Sequence, residues 1–266
     1  MIGLLLFAAC SSQSTEQLSF EYTLVWEEQF EGPSGSMINE DNWTYDIGTG
    51  PNNDGWGNLQ QEYNTDNTNN VRLDGDGHLE IRAVREAYEG MSYTSGRIKT
   101  QGRFEHTYGR FEARIQIPEG QGLWPAFWLL GSSIETDSWP LCGEIDAMEF
   151  RGSEPDRLIG SLHGPGYSAG ESISGSHRLS EGTFADDFHI FSVDWDPEQI
   201  SWFVDDVRYH SVSRGQLPPN SAWVFDQPFF LVLNLAVGGN FVESPLTTSF
   251  PGKMIVDYVK VYQRDN

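Results

Sequence analysis

A chain of 266 residues carrying nine Trp and 13% aromatic residues holds too much apolar ring area to be disordered, and it is long enough for one large domain. Its formal net charge of −23, from 39 Asp and Glu against 16 Lys and Arg, excludes nucleic acid and anionic membrane surfaces as partners, because such a chain repels phosphate. The same acid excess fits either a plain soluble surface or adaptation to salty water, where ions screen the self-repulsion.

The N-terminus reads MIGLLLFAAC, then SSQSTEQ. An apolar run closed by small residues has the form of a secretory signal, and the Cys after Phe-Ala-Ala has the form of a bacterial lipobox. The expectation is a signal over 1–9, a lipidated Cys10, and a polar tether through residue 19. The single domain then covers 20–266, outside the cytoplasm or on the cell surface. The run is too short to span a bilayer. The only other cysteine, Cys142, is expected to be a small buried hydrophobe, so no disulfide framework forms.

Strand signals follow in chain order. Phe20 to Trp26 is rich in β-formers. His78 to Val84 alternates with a period of two, and so does Gly109 to Ile117, with Phe111, Ala113, Ile115 and Ile117 on one face. His189 to Trp195 and Gln199 to Tyr209 are two more strands, separated by a turn at Asp196-Pro197. Pro228 to Val237 is apolar throughout except for Asn234, the pattern of a strand covered on both faces. Met254 to Tyr262 closes the chain. The Asn/Asp/Gly-rich stretch 46–70 is a long loop carrying Trp56 and Tyr63, and a loop of that length is usually functional. No segment shows a capped helical period, so the fold class expected is all-β, an antiparallel two-sheet sandwich.

The stretch GEIDAMEF, Gly143 to Phe150, sets three acids in an apolar run. On a regular strand Glu144 and Asp146 share a face and Glu149 takes the other, pointing into the core. A buried unpaired carboxylate is costly, and one extra residue repairs the misfit. The broken spacing therefore predicts a β-bulge between Asp146 and Glu149 that brings all three acids to one face. The outer glutamates start roughly 13 Å apart at Cα. Long side chains leaning inwards close much of that gap, towards the roughly 5–5.5 Å of a retaining glycosidase or the 6.5–9.5 Å of an inverting one. A solvated acidic face and a calcium site are the competing readings. The apolar neighbours disfavour the first, and the lack of a ligand-rich loop disfavours the second.

The surrounding residues narrow the choice. Leu24-Val-Trp26, Gly55-Trp-Gly-Asn58 with Glu62-Tyr63, Thr94 to Ile98, Tyr108 to Arg114 and Gly122 to Leu130 come first. Then follow Trp139 to Glu149, Ser161-Leu-His163, Phe230 to Gly239 and Val256 to Tyr262. In this order the chain resembles glycoside hydrolase family 16, and within it the bacterial endo-β-1,3-glucanases (laminarinases), over nearly all of residues 22–263.

The resemblance implies a concanavalin A-like β-jelly-roll with a substrate cleft across its concave sheet. It also implies a retaining mechanism, with Glu144 as nucleophile, Glu149 as acid/base and Asp146 orienting and tuning Glu144. Asn58, Arg97, Trp124, Trp128 and Trp139 match substrate-binding positions, and His163 is placed to contact Glu149 or the sugar. Asn234 is either a cleft residue or a partner for backbone groups. No catalytic cofactor is implied. A structural calcium away from the site would use Gln29, the Gly77 carbonyl and Asp257, although most relatives carry Glu at the first position.

Partners expected are a β-glucan and, through Cys10, a membrane, with the protein otherwise a monomer. A non-catalytic glucan-binding protein, and a hydrolase of mixed-linkage glucan or a marine galactan, are the alternatives.

Overall fold

The computed structural model describes residues 21–265. The signal, Cys10 and the tether lie outside the described residues. In chain order the strands are β1 (Tyr22–Glu28), β2 (Thr44–Tyr45), β3 (Glu62–Asn64), β4 (Val71–Leu73), β5 (Leu79–Ala83), β6 (Tyr93–Ser95), β7 (Arg97–Lys99) and β8 (Gly109–Gln116). There follow β9 (Leu123–Gly131), β10 (Glu144–Glu149), β11 (Arg157–His163), β12 (Ile173–Arg178) and β13 (His189–Trp195), then β14 (Gln199–Val204), β15 (Val207–Ser213), β16 (Phe229–Val237) and β17 (Gly252–Arg264).

The strands form two antiparallel sheets, the jelly-roll sandwich expected. One runs β15-β14-β13-β8-β17-β5-β4, with β1 also paired to β17. The other runs β12-β11-β10-β9-β16-β7-β2, and β3 and β6 form a small parallel pair. Among the described residues, helical turns are limited to five residues or fewer. No helix there is long and apolar enough to cross a membrane.

The period-two readings hold where one face is wet. In β8 every second residue is buried, with Phe111, Ala113 and Ile115 facing inwards. The continuous apolar run 229–237 is buried along its whole length. Its odd-numbered members, Phe229 to Val237, join the main core between the sheets. Its even-numbered members join two small clusters on the opposite side, around Phe230 and Val232 and around Ala236 with Trp124. Cys142 is buried, as a small hydrophobe should be, within the first of these.

One strand reading is corrected. Residues 199–209 are not one strand but the two arms of a hairpin, closed by Val204 opposite Val207. Asp205 and Asp206 both take positive φ, 47° and 63°, the two-residue turn whose twist matches paired strands. Asp tolerates that conformation better than most residues, so the Asp-Asp pair carried the signal.

Candidate active site

The bulge is where the spacing predicts it. Asp146 lies opposite Trp128 of β9 and Met148 opposite Phe127, with the register breaking between them. Against β11 the break falls between Asp146, opposite Ser161, and Glu149, opposite Ile159. Ile145, Ala147 and Met148 all enter the core, while Glu144, Asp146 and Glu149 line one cleft of about 1460 Å³. Without the extra residue, Glu149 would displace Met148 from the core. That exchange loses about 2 kcal/mol of apolar burial and adds the larger cost of an unpaired buried charge.

Alternation then assembles the cleft from neighbouring strands. Trp124, Ala126, Trp128 and Leu130 of β9 face it, as do Asn234 of β16 and Ile159, Ser161 and His163 of β11. Asn58 and Trp139 come from loops and Arg97 from β7, so every residue expected to bind substrate lines this one cleft. Asn234 is a cleft residue whose Oδ1 accepts from Trp128 Nε1 at 2.7 Å.

Asp46 and Lys99, not singled out beforehand, complete the site around Arg97 and Trp56. The Arg97 guanidinium lies 4.3 Å from the Trp56 ring and 4.8 Å from the Trp128 ring, wedged between two indoles. Asp46 holds it from behind, Nε to Oδ2 at 2.9 Å, and takes Lys99 on its other oxygen at 2.6 Å. Trp56 reaches this position from a tight turn with φ of 57°. Gly55 precedes it at φ 66°, where a Cβ would strike the Gln60 backbone. The Asn and Gly content of the loop signalled such turns, but its partners lie roughly 40 or more residues away in sequence and carried no local signal.

The acids differ in their surroundings. Glu149 is 9% exposed. Its Oε1 accepts from Trp124 Nε1 at 3.1 Å and its Oε2 from Ser161 Oγ at 3.4 Å. Ser161 in turn accepts from Ser174 at 3.0 Å. His163 makes its ion pairs with the other two acids, not with Glu149. The register sets it opposite Glu144, and its Nε2 lies 3.0 Å from Asp146 Oδ2 and 3.6 Å from Glu144 Oε1. The expected contact was drawn from strand order without the register, which puts Ile159 opposite Glu149 instead.

Burial raises the Glu144 carboxyl above its ordinary value, while the His163 charge and a Trp139 hydrogen bond draw it back. Burial, reinforced by Glu144, raises Asp146. Burial and the Asp146 charge push Glu149 up to about 8. Burial alone would lower His163, but the Glu144 and Asp146 charges carry it up to about 10. The imidazole is therefore a cation at neutral pH. A carboxyl pushed up to about 8 stands beside a second one held by a cation, an arrangement suited to acid and nucleophilic catalysis. Ligand atoms of Glu144, Asp146 and His163 lie within 4.8 Å of one another. Their contacts are those of an ion-pair triad, with His163 Nε2 facing both carboxylates.

The proposed calcium corner is brought together by register, since Val256 pairs with Leu79 and Glu28 with Val259. Its donors fit a dication poorly. Gln29 is neutral and its amide donates to Glu27 at 2.7 Å. Asp257, the only anion in the set, is already neutralised by Arg114 at 2.6 Å.

Comparison with known proteins bears on the same residues. The model of Glycosyl hydrolases family 16 matches residues 57–260, a span containing all three acids. The chain is 40% identical over 253 residues to the Beta-glucanase of Rhodothermus marinus, covering 91% of this chain and 85% of that one. It is 36% identical over 260 residues to Glucan endo-1,3-beta-glucosidase A1 of Niallia circulans, covering 90% of this chain but 38% of that longer protein. The crystal structure of endo-beta-1,3-glucanase from Pyrococcus furiosus matches with a TM-score of 0.87 at 44% identity, over 93% of this chain and 96% of that one. Sandwich, bulge and cleft acids thus coincide with the span matched by family and structure, and the chain belongs to glycosyl hydrolases family 16 as a glycoside hydrolase.

Proposed function

We propose that the protein is an endo-acting, retaining β-1,3-glucanase. The observation that carries this reading is the bulge, which puts Glu144, Asp146 and Glu149 on the floor of one aromatic-walled cleft. The relatives named above, a beta-glucanase and endo-1,3-beta-glucanases, support the linkage. The cleft is lined from Ser174 and Ser176 on edge strand β12 to Asp46, next to edge strand β2. A groove spanning the sheet suits attack within a long polymer.

In this reading Glu149, protonated at neutral pH, donates its proton to the glycosidic oxygen as the bond breaks. The Glu144 carboxylate attacks the anomeric carbon from the opposite face and forms a glycosyl-enzyme. Glu149, now ionised, takes a proton from water, which displaces Glu144 and regenerates both groups. His163, 3.6 Å from Glu144, favours the ionised form of that carboxyl, and Asp146 holds His163 at 3.0 Å. The indoles stack on sugar C–H faces, and Asn58 and Arg97 meet hydroxyls.

Laminarin, lichenan, agarose and carrageenan, each incubated with wild type and Glu144→Gln, test the reading by product sizing. Laminarin is expected to fall early to short oligosaccharides, with the variant inert. An intact laminarin sample would overturn the function, and an active Glu144→Gln the assignment of roles.

A further inference from the structure

The bulge is held from the far side of the molecule. Trp202 belongs to β14 in the sheet facing away from the cleft, and it is fully buried. Its Nε1 donates across the core to the Asp146 carbonyl at 2.8 Å. A ladder carbonyl lies in the plane of its own sheet. This one accepts from a ring that rises from the opposite sheet, at the residue where the register with both β9 and β11 breaks.

The neighbourhood is shaped for that indole. Gly160 of β11 faces the core beside the bulge. A Cβ there would lie 2.5 Å from Trp202 Cδ1 and 2.9 Å from its Nε1. Only glycine leaves the ring room to reach the carbonyl. On the other side the His210 ring lies 4.8 Å from the indole, so the ring has little freedom to swing.

We propose that Trp202 is a positioning residue for the reaction. Its N–H fixes the rotated Asp146–Ala147 peptide, and through it the bulge that carries Glu149 onto the face of Glu144. Losing the N–H leaves a buried carbonyl unsatisfied, and the peptide regains partners only by turning back towards the ladder. That rotation moves Glu149 relative to the glycosidic oxygen and leaves the aromatic walls untouched. The inference rests on the reading of Glu149 as the acid.

The test compares two substrates by kcat/KM, which covers the steps up to the glycosyl-enzyme. Laminarin needs a proton on its leaving oxygen; 2,4-dinitrophenyl β-laminaribioside does not. Glu149→Ala is the reference and loses far more on laminarin than on the aryl glycoside. Trp202→Phe keeps a ring in the core but deletes the N–H. It is expected to lose about 30-fold on laminarin and less than about 3-fold on the aryl substrate, through kcat rather than KM.

Tyr209→Phe is the control. Its hydroxyl lies 2.5 Å from the same Cβ position at Gly160 and has no hydrogen-bond partner. Its activity should equal wild type on both substrates. Should the Phe variant not fold, benzothienylalanine at 202 keeps the bicyclic shape with sulfur in place of N–H and is read the same way. Equal losses on both substrates, or none, overturn the role of Trp202 while Glu149→Ala still discriminates. If Glu149→Ala itself fails to discriminate, the assignment of the acid falls instead.

Discussion

Two carboxylates on opposite sides of the sandwich are both little exposed, Glu149 lying the deeper, and they behave in opposite ways. Glu80 on β5 is 6% exposed and Glu149 on β10 is 9% exposed. Burial alone would raise both. Glu80 lies between Arg72 Nη2 at 2.7 Å and Lys253 Nζ at 2.9 Å, and these two cations outweigh burial to hold its carboxyl below the ordinary range. Glu149 has neutral donors, Trp124 and Ser161, and a like charge in Asp146, so it rises to about 8. Depth of burial and the charge of the partners together set the sign of the shift.

The wider charge arrangement repeats the contrast. On the outer sheet Arg110 serves Glu112, Asp194 and Asp206 together. The three cleft acids have only His163 within ion-pair distance among the described residues. The cleft has cations too, among them Arg97 and Lys99, but they pair with Asp46 and leave the three reactive carboxyls close to one another.

The largest break in the comparison comes from neutralising each acid in turn. Glu149→Gln is expected to lower kcat on laminarin about 10³-fold, while Glu80→Gln leaves it within about 2-fold. Comparable losses in both would mean that partners do not separate the two roles. A smaller effect comes from stripping Glu80 of its cations. The double variant Arg72→Met, Lys253→Met should lose about 2 kcal/mol in urea unfolding at pH 7, discounted for the exposure of both cations. A depressed acid stabilises the fold above its unfolded value and loses that contribution as pH falls through its folded value. The two proteins should therefore converge in strong acid. A deficit that persists there would point to lost aliphatic contacts.

The part of this contrast legible in the sequence was the part encoded in spacing. Glu149 misses the two-residue period by one position, and a bulge is the inexpensive answer, so the reactive face could be read from six residues. The jelly-roll could be read from period-two alternation in β8 and from the doubly covered run of β16. What spacing does not encode is register across strands. Of the two contacts expected of His163, Glu149 or the sugar, the first gives way to Glu144 and Asp146, because only the pairing of β10 with β11 decides which acid it meets. Arg97, Trp128 and Trp56 were found through motif, but Asp46, which holds Arg97 from behind, sits in a loop without period. Trp202 reads in sequence as one more core aromatic, because its hydrogen bond spans 56 positions and two sheets.

The pH dependence of stability sharpens the same point at smaller scale. Between the ordinary value of 4.5 and about 8, native Glu149 keeps a proton that the unfolded chain has released. His163 does the same between 6.5 and about 10. Both make stability fall as pH rises through these windows. Glu62 on β3 is a third case, buried where its carboxyl accepts from the Val237 backbone N–H at 2.8 Å, and burial pushes it up to about 8. Glu62→Gln keeps an acceptor for Val237 and removes the titration. Unfolding free energies from urea melts between pH 5 and 8 should decline less steeply than in wild type, by at most about 1.4 kcal/mol per pH unit. Identical slopes would show that Glu62 ionises without cost.

The smallest expected effect concerns calcium, and it follows from the outer-sheet half of the comparison. Register sets Gln29, the Gly77 carbonyl and Asp257 in one corner, an arrangement open to a hard cation. Asp257, however, is in the same state as Glu80: its charge is already met, here by Arg114 at 2.6 Å. A dication would have to displace a guanidinium and be held by a neutral amide and a carbonyl, so calcium has little differential affinity for the folded state to exploit. Excess EDTA should shift the Tm by less than about 1 °C. Arg114→Gln frees the carboxylate, and it should gain Tm on adding calcium if the guanidinium is what blocks the corner. A shift of many degrees in the wild type would mean that Arg114 yields to the metal. The outer sheet would then be held together by a cation from solution as well as by those of the chain.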